Sequence, residues 1–460
     1  MNAPLLWIFS PLLISGLMLL ILNRQWMLKW LGTATALIYS AAAWLLPVGS
    51  ESRLLFWDLR ISEELLVFGR RFILGEADQA LVALLFTITF FWFFILEPDY
   101  VPPQLIPLGL ISTSLILAGF AVEPIFYGAL FFAFLALVLV ILLSPPGEPS
   151  TPGIYRFLIY QLLGVIFVLF ASWLGSWIDF DTSEQQLFFR AAVLLGLGFS
   201  FLLGLFPFSS WISMVAERNH PFSAAYVFNI YLLGGIIFAL RFLNEPGWLQ
   251  GTLTLREPMQ LAGMVMVALG AVAAVFSDHL GRIMAAAVFV EVGRSLGALS
   301  LPGSGTLLYF SFLIIQMLAL GVWGLSLTLL RSVVADGRLS SLAGAGRQWP
   351  ILSFGVLVGL FTLAGLPFLG GFPHYWSFSS QLTGNGLWLP AWYFIGSFGL
   401  IVSGLRSFSW LARKSGEEKV FQIGNPFTHV IILGISLLLL TVGLFPGVIV
   451  SWASRVAAVF

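Results

Sequence analysis

The sequence predicts an all-α integral membrane protein with about fourteen transmembrane helices. Three observations carry that expectation. Of 460 residues, 59% are hydrophobic and 9% are charged, against roughly 25% charged in an ordinary soluble domain. Mean hydropathy is +0.99. Apolar runs recur along the whole chain, and about 20 such residues are what a helix needs to cross a bilayer. Soluble, disordered and fibrous classes are thereby excluded. Basic and acidic residues both number 21, so no basic excess points to nucleic acid and there is no acidic tail. Cysteine is absent, which removes disulfides, thiolate metal sites and Cys nucleophiles.

The candidate spans lie near 4–22, 28–46, 78–96, 104–122, 124–143, 155–177, 187–213, 221–243, 258–277, 279–300, 304–330, 349–377, 387–411 and 427–450. The first run meets Arg24 and Lys29 directly and lacks a basic leader and a small-residue cleavage site. It therefore reads as a retained span and not a signal peptide. The stretch 47–77 alternates apolar and polar residues, as from Arg53 through Asp58 to Arg60, and reads as a short hairpin outside the membrane. Loops on one side of the bundle carry twelve basic residues and those on the other carry eight, four of them within 47–77. The richer side is assigned to the cytoplasm, so an even span count leaves both termini outside. The acidic 6–7 loop, with Asp179, Asp181 and Glu184, agrees.

Two long runs are interrupted. One reads Gly204-Leu-Phe-Pro207-Phe208-Ser-Ser-Trp211, the other Gly365-Leu-Pro367-Phe368-Leu-Gly370-Gly371-Phe372-Pro373-His374. Proline removes a backbone donor and clashes with the preceding turn, so each helix is expected to break there. Non-helical backbone at membrane depth is tolerated only where protein or a hydrated cavity satisfies it, and paired interruptions point to a transporter with repeated halves. The alternative is two ordinary proline kinks. The breaks fall in spans seven and twelve, five apart, which suggests two five-helix units of inverted topology, since five is odd. The whole chain, 1–460, then forms one membrane domain: 1–103 with three helices and the hairpin, repeat one at 104–243, repeat two at 258–411, and a C-terminal helix at 427–450.

An ionised side chain inside the membrane is a functional candidate by default. The tenth span offers Glu291 and Arg294, three apart on one helix face and able to pair. They read either as a proton or ion station or as a permanent ion pair that orients two helices. His374, just past the second break, reads as a proton relay or as a helix-end group bonding a free carbonyl. Arg241, Glu123 and Glu97 sit near span ends and read as snorkelling interface residues. The Glu217-Arg218-Asn219-His220 cluster reads as a solvated loop or as the mouth of a half-channel. There is no nucleotide-binding loop, HExxH or usable Ser-His-Asp arrangement, so the chain by itself offers no catalytic chemistry and no cofactor is expected in it.

Together these features resemble a family, the antiporter-like membrane subunits of respiratory NADH:quinone oxidoreductase, shared with multisubunit cation/proton antiporters and membrane-bound hydrogenases. Phe206-Pro207-Phe208-Ser209-Ser210-Trp211 resembles the family's FPFHxWLP, and Pro221-Phe222-Ser223-Ala224 its PTPVSA. Asp278-His-Leu-Gly-Arg282-Ile-Met-Ala285 resembles DLKRLLA; Leu363 to Pro367 with Gly370-Gly371-Phe372 resembles LAGxPPxxGF. The resemblance covers nearly the whole chain and implies fourteen spans, inverted units and broken helices seven and twelve. It also implies a central row of buried charges that conducts protons, and here the chain departs. The family's fifth-span Glu falls at or near Phe131, its seventh-span Lys on Leu202, its eighth-span Lys on Leu233 with the upstream His near Val227, and its twelfth-span Lys on Tyr375. The histidine of the first break is Ser209, and Glu291 stands where many relatives carry His. All three lysines, Lys29, Lys414 and Lys419, lie in loops or at span ends. The sequence ends at Phe460, soon after the last span, so it resembles the shorter branches without a long lateral helix.

The resemblance implies a membrane-arm subunit of a proton-translocating, complex I type assembly with altered or lost conduction. The alternatives are a structural scaffold and a subunit of a multisubunit cation/proton antiporter. An antiporter-like partner of a membrane-bound hydrogenase or inorganic-carbon uptake complex also remains open. A stand-alone organic-solute transporter is disfavoured by the scarcity of polar residues. Partners would be other membrane subunits and lipids, with quinone reached through partner subunits, in a bacterial inner membrane.

Overall fold

Apolar runs become helices, and proline or left-handed glycine ends them. The computed structural model describes residues 2–46, 51–54, 57–144, 147, 150–176, 185–244, 256–334, 336–414 and 423–460. Asp179, Asp181, Glu184 and Lys419 lie outside the described residues. A π turn over Leu5–Phe9 leads into α1 (Ser10–Leu19), followed by α2 (Gln25–Leu45). Next come two antiparallel ribbons, β1 (Glu51–Leu54) with β2 (Trp57–Arg60) and β3 (Glu64–Val67) with β4 (Arg70–Ile73). The second ribbon turns on Phe68 and Gly69 at φ +48° and +75°, as a tight hairpin of this hand requires. The alternating stretch thus holds two antiparallel ribbons where one hairpin was expected. β5 (Val122–Glu123) pairs with β4, and Arg71 meets Glu123 at 3.5 Å.

The remaining helices are α3 (Gln79–Ile95), α4 (Leu105–Ala121), α5 (Gly128–Leu143), α6 (Pro152–Gly175), α7 (Gln185–Leu202), α8 (Ser210–Arg218) and α9 (Pro221–Asn244). Then follow α10 (Arg256–Phe276), α11 (Leu280–Leu299), α12 (Gly305–Arg331), α13 (Ala345–Gln348), α14 (Pro350–Ala364) and α15 (Gly371–Leu382). The last three are α16 (Trp388–Leu411), α17 (Pro426–Leu444) and α18 (Gly447–Ala457). Among the described residues, eight helices are long and apolar enough to cross a membrane: α3, α5, α6, α9, α10, α12, α16 and α17.

The run at 187–213 is divided into α7 and α8 around Pro207, and that at 349–377 into α14 and α15 around Pro367. Gly204 and Gly365 turn the chain at φ +60° and +77°, where a side chain would be strained. After the second break, Gly365 N–H donates to Thr362 O at 3.0 Å and Leu366 N–H to Phe361 O at 3.1 Å. The expected single helix at 427–450 is two helices, α17 and α18. Pro446 withholds its donor and forces Phe445 out of the helical region, to φ −128°, ψ +69°.

Burial grades from centre to rim. In α12 the membrane-length window is 94% buried and in α9 it is 89% buried, whereas in α6 and α10 it is 33%. The helix α11 is buried nearly all round. Small residues allow this. A Cβ on Gly293 of α11 would lie 2.6 Å from the Gly263 carbonyl oxygen of α10, and the reverse distance is also 2.6 Å. Close backbone approach through small residues is how membrane helices gain packing without a hydrophobic drive.

Candidate functional site

Glu291 and Arg294 occupy the middle of α11, on either side of Gly293. Their exposures are 0% and 2%. Arg294 Nη1 donates to Glu291 Oε1 at 2.6 Å and to the Leu363 carbonyl at 2.7 Å, and Nη2 donates to Ser397 Oγ at 2.6 Å. The Tyr375 hydroxyl donates to the same Glu291 Oε1 at 2.8 Å, and its ring lies under the guanidinium, 3.8 Å from Cζ to the centroid. Four helices therefore meet here: α11, α14, α15 and α16.

The bond to Leu363 follows from the second break. In an unbroken helix the Leu363 carbonyl would accept from the N–H of residue 367, and Pro367 has none. Arg294 supplies the missing donor. Guanidinium suits this work, because its planar fork serves several acceptors and keeps its charge. Glu291 Oε2 is buried with no hydrogen-bond partner. It is the one open acceptor of the cluster, and a proton or a water could add there.

His374 is 3% exposed, in the first turn of α15. Its Nδ1 lies 2.9 Å from the Gly370 carbonyl, and Nε2 is buried and unpartnered. No hydrogen bond joins it to Glu291 or Arg294 among the described residues. Leu202 and Leu233 are 0% and 1% exposed. Phe131 is half-buried, its ring edge-on to Phe72 at 5.8 Å. Tyr375, by contrast, lies inside the Glu291 cluster.

Several polar contacts escaped the sequence reading. Ser397 gave no signal, being 103 residues from Arg294. Gln161 Oε1 accepts from Tyr231 OH at 2.7 Å, and Asn229 Oδ1 from Trp92 Nε1 at 3.1 Å, all buried. A single Gln inside the apolar helix α6 was the available clue. Glu97 is not a snorkelling residue; it is 1% exposed and accepts from the Thr428 hydroxyl. Lys29 does lie near a span end, in the second turn of α2, but is 0% exposed there. Glu123 pairs with Arg71, and Arg241 stands over the Phe120 ring at 5.1 Å.

The 217–220 cluster is tied down on every residue but one. Glu217 pairs with Arg282 at 2.7 Å, Asn219 Nδ2 donates to the Leu143 carbonyl at 2.9 Å, and Arg331 donates to Asn219 O at 3.0 Å. His220 Nε2 meets the Tyr100 carbonyl at 2.7 Å. Burial lowers the His220 pKa from 6.5 to about 4, helped by the Arg331 charge and opposed by the Tyr100 bond. The unfolded chain takes this proton first. Stability should therefore be complete above pH 6.5, fall as pH drops towards 4, and level off below. Thermal melts of His220→Gln should show a shallower slope than the wild type; an identical slope would refute the assignment.

Among the described residues no three His, Asp or Glu side chains are grouped to hold a metal. A cavity of about 240 Å³ between α7, α9, α10 and α11 is lined almost wholly by apolar groups, including Leu195, Phe199, Leu203, Met259 and Leu296. It offers no chemistry of its own.

No family model matches the chain. NADH-quinone oxidoreductase subunit N of Cytophaga hutchinsonii is 25% identical over 403 residues, 80% of this chain and 84% of that protein. The chain is homologous to that subunit. Formate hydrogenlyase subunit 3 of Escherichia coli is 28% identical over 240 residues, 46% of this chain and 38% of that protein. In fold, a chain of the Mrp complex from Dietzia sp. DQ12-45-1b superposes with a TM-score of 0.80 at 16% identity, covering 99% of this chain and 96% of that one. A chain of respiratory complex I from Thermus thermophilus gives 0.72 at 19% identity, covering 99% of both. The expected likeness to antiporter-like membrane subunits is thus present in both sequence and fold.

Proposed function

We propose that this chain is a membrane-arm subunit of a proton-translocating complex of the NADH:quinone oxidoreductase type, in which the subunit itself has lost proton conduction. It crosses the membrane fourteen times, counting each broken pair once, in two inverted five-helix units. Pro207 and Pro367 are 160 residues apart, and the same interval back from Glu291 and Arg294 falls on Phe131 and Phe134. Repeat one thus carries aromatic rings where repeat two carries the ion pair. The chain lies in a bacterial inner membrane with both termini outside, binds lipids at its rim, and holds no cofactor; quinone chemistry belongs to partner subunits.

The observation that carries this reading is the lock on Glu291. Arg294 is bound to three acceptors, so it cannot swing away from the carboxylate without orphaning the Leu363 carbonyl. Leu202 and Leu233 put buried side chains without charge at two relay positions of repeat one. A relay by buried charges needs each group to change protonation state in turn, and here the row is interrupted. The test is proton stoichiometry in vesicles holding the intact complex, driven by its own electron donor. Glu291→Gln should pump as many protons per electron as the wild type. A clear fall would return Glu291 to the proton path. Tyr375→Phe, which keeps the ring and removes one donor, serves if Glu291→Gln fails to assemble.

A second reading, a subunit of a multisubunit cation/proton antiporter, is favoured by the TM-score of 0.80 with a chain of the Mrp complex. Co-purification on a tagged chain separates the two. Redox subunits among the partners support the first reading, and only further antiporter-like subunits support the second. Hydrogenase or inorganic-carbon subunits would place the chain in a third assembly.

A further inference from the structure

A second buried pair of opposite charges lies outside both five-helix units. Lys29 on α2 is 0% exposed, Glu97 just beyond α3 is 1%, and Thr428 at the start of α17 is 0%. The Thr428 hydroxyl donates to Glu97 Oε2, whereas Oε1 has no partner. Lys29 Nζ has none either. It faces the rings of Trp26 and Trp30 at 5.4 Å and of Phe427 at 5.7 Å. Glu97 is the acidic group whose charge acts on Lys29, yet no ion pair within hydrogen-bonding reach joins them. Arg24, Tyr39, Asp99, Tyr100 and His429 are the other titratable groups on these segments, and among the described residues no side-chain bond joins any of them to Lys29 or Glu97. Helix α4, which packs on α2 and α3, brings no ionisable side chain.

We propose that Lys29, Glu97 and Thr428 form a proton-exchange site, separate from the Glu291 cluster, that binds one proton with bridging water where α2 begins and α3 ends. Two buried opposite charges without direct contact recover little of their desolvation cost. A water between them would find Nζ and Oε1 as partners, and an ordered buried water needs two to four. Loading places the proton on the Glu97 carboxylate, and unloading returns it to solvent. Cation–π contact holds the ammonium meanwhile. The three rings are each more than a third exposed. This site stands whether or not Glu291 conducts.

The test is infrared difference spectroscopy of the purified full-length chain between acidic and alkaline pH. The carbonyl stretch of a protonated carboxyl should disappear in Glu97→Gln and persist in Glu291→Gln. In Lys29→Met its titration midpoint should move by about one pH unit or more, a tenfold change in proton affinity. Thr428→Val should move it in a fold-preserving background, which covers the case in which Lys29→Met does not fold. A band unaffected by Glu97→Gln, or a midpoint unmoved by both Lys29→Met and Thr428→Val, overturns the proposal.

Discussion

Arg294→Met should destabilise the chain by about 3–5 kcal/mol, the range for breaking a buried ion pair by removing one partner. Three groups lose their donor together: the Glu291 carboxylate, the Leu363 carbonyl and the Ser397 hydroxyl. The carboxylate matters most, because it is 0% exposed and retains only Tyr375. Methionine is close to arginine's stem in length, so little volume changes and the effect reports the lost charge and hydrogen bonds. Thermal unfolding in detergent measures it. The double variant Arg294→Met/Glu291→Gln should regain a good part of the loss, because the uncompensated charge is gone. It should not regain all of it, since Leu363 O remains orphaned by Pro367. A double variant as unstable as the single one would place the damage in the helix break alone.

Gly293→Ala should cost more than one added methyl normally does. The new Cβ would stand 2.6 Å from the Gly263 carbonyl oxygen, 2.7 Å from Val267 Cγ2 and 2.9 Å from Val267 N. Two of these atoms are backbone, so the helices α10 and α11 must part. Overpacking of this kind typically costs about 1–3 kcal/mol. Here the shift also disturbs Glu291 and Arg294, one on each side of the substituted residue, and their bonds to α14, α15 and α16. Loss of assembly is the expected result, scored as yield of the intact complex. Gly434→Ala is the control, because nothing lies within 4 Å of its Cβ position, and its effect should stay within about 1 kcal/mol. Equal yields from the two variants would mean that the α10–α11 contact has slack.

Some of this was legible in the chain as written. Pro207 and Pro367 announce the two helix breaks because their chemistry is local. Glu291 and Arg294 announce their pairing because three residues of helix place them on one face. What they bond to beyond each other was not legible. Ser397 and Leu363 reach Arg294 only through the packing of α14 and α16 on α11, and no local pattern encodes that. Lys29 and Glu97 failed for a different reason. Each sits at a span end, where a charged residue normally reaches solvent. The packing of α17 brings Phe427 over Lys29 and Thr428 onto Glu97, and no local pattern announces that. Pro446 falls so near the end of an apolar run that, in sequence, a break and a terminus look alike.

The burial of α12 has a consequence for how the chain is made. Residues 305–331 leave the ribosome before α14, α15, α17 and α18, all of which pack on them in the finished fold. During that interval the helix stands in lipid with its later contact faces open. It is apolar enough to wait there, with a mean hydropathy of 2.0 over its membrane-length window. Gln316, Ser326 and Thr328, each under a tenth exposed once folding is complete, are the groups that lipid would receive least well. A nascent-chain arrest series that stops synthesis before α14 would then hold α12 at its most vulnerable, and insertion chaperones would be engaged longest at that point.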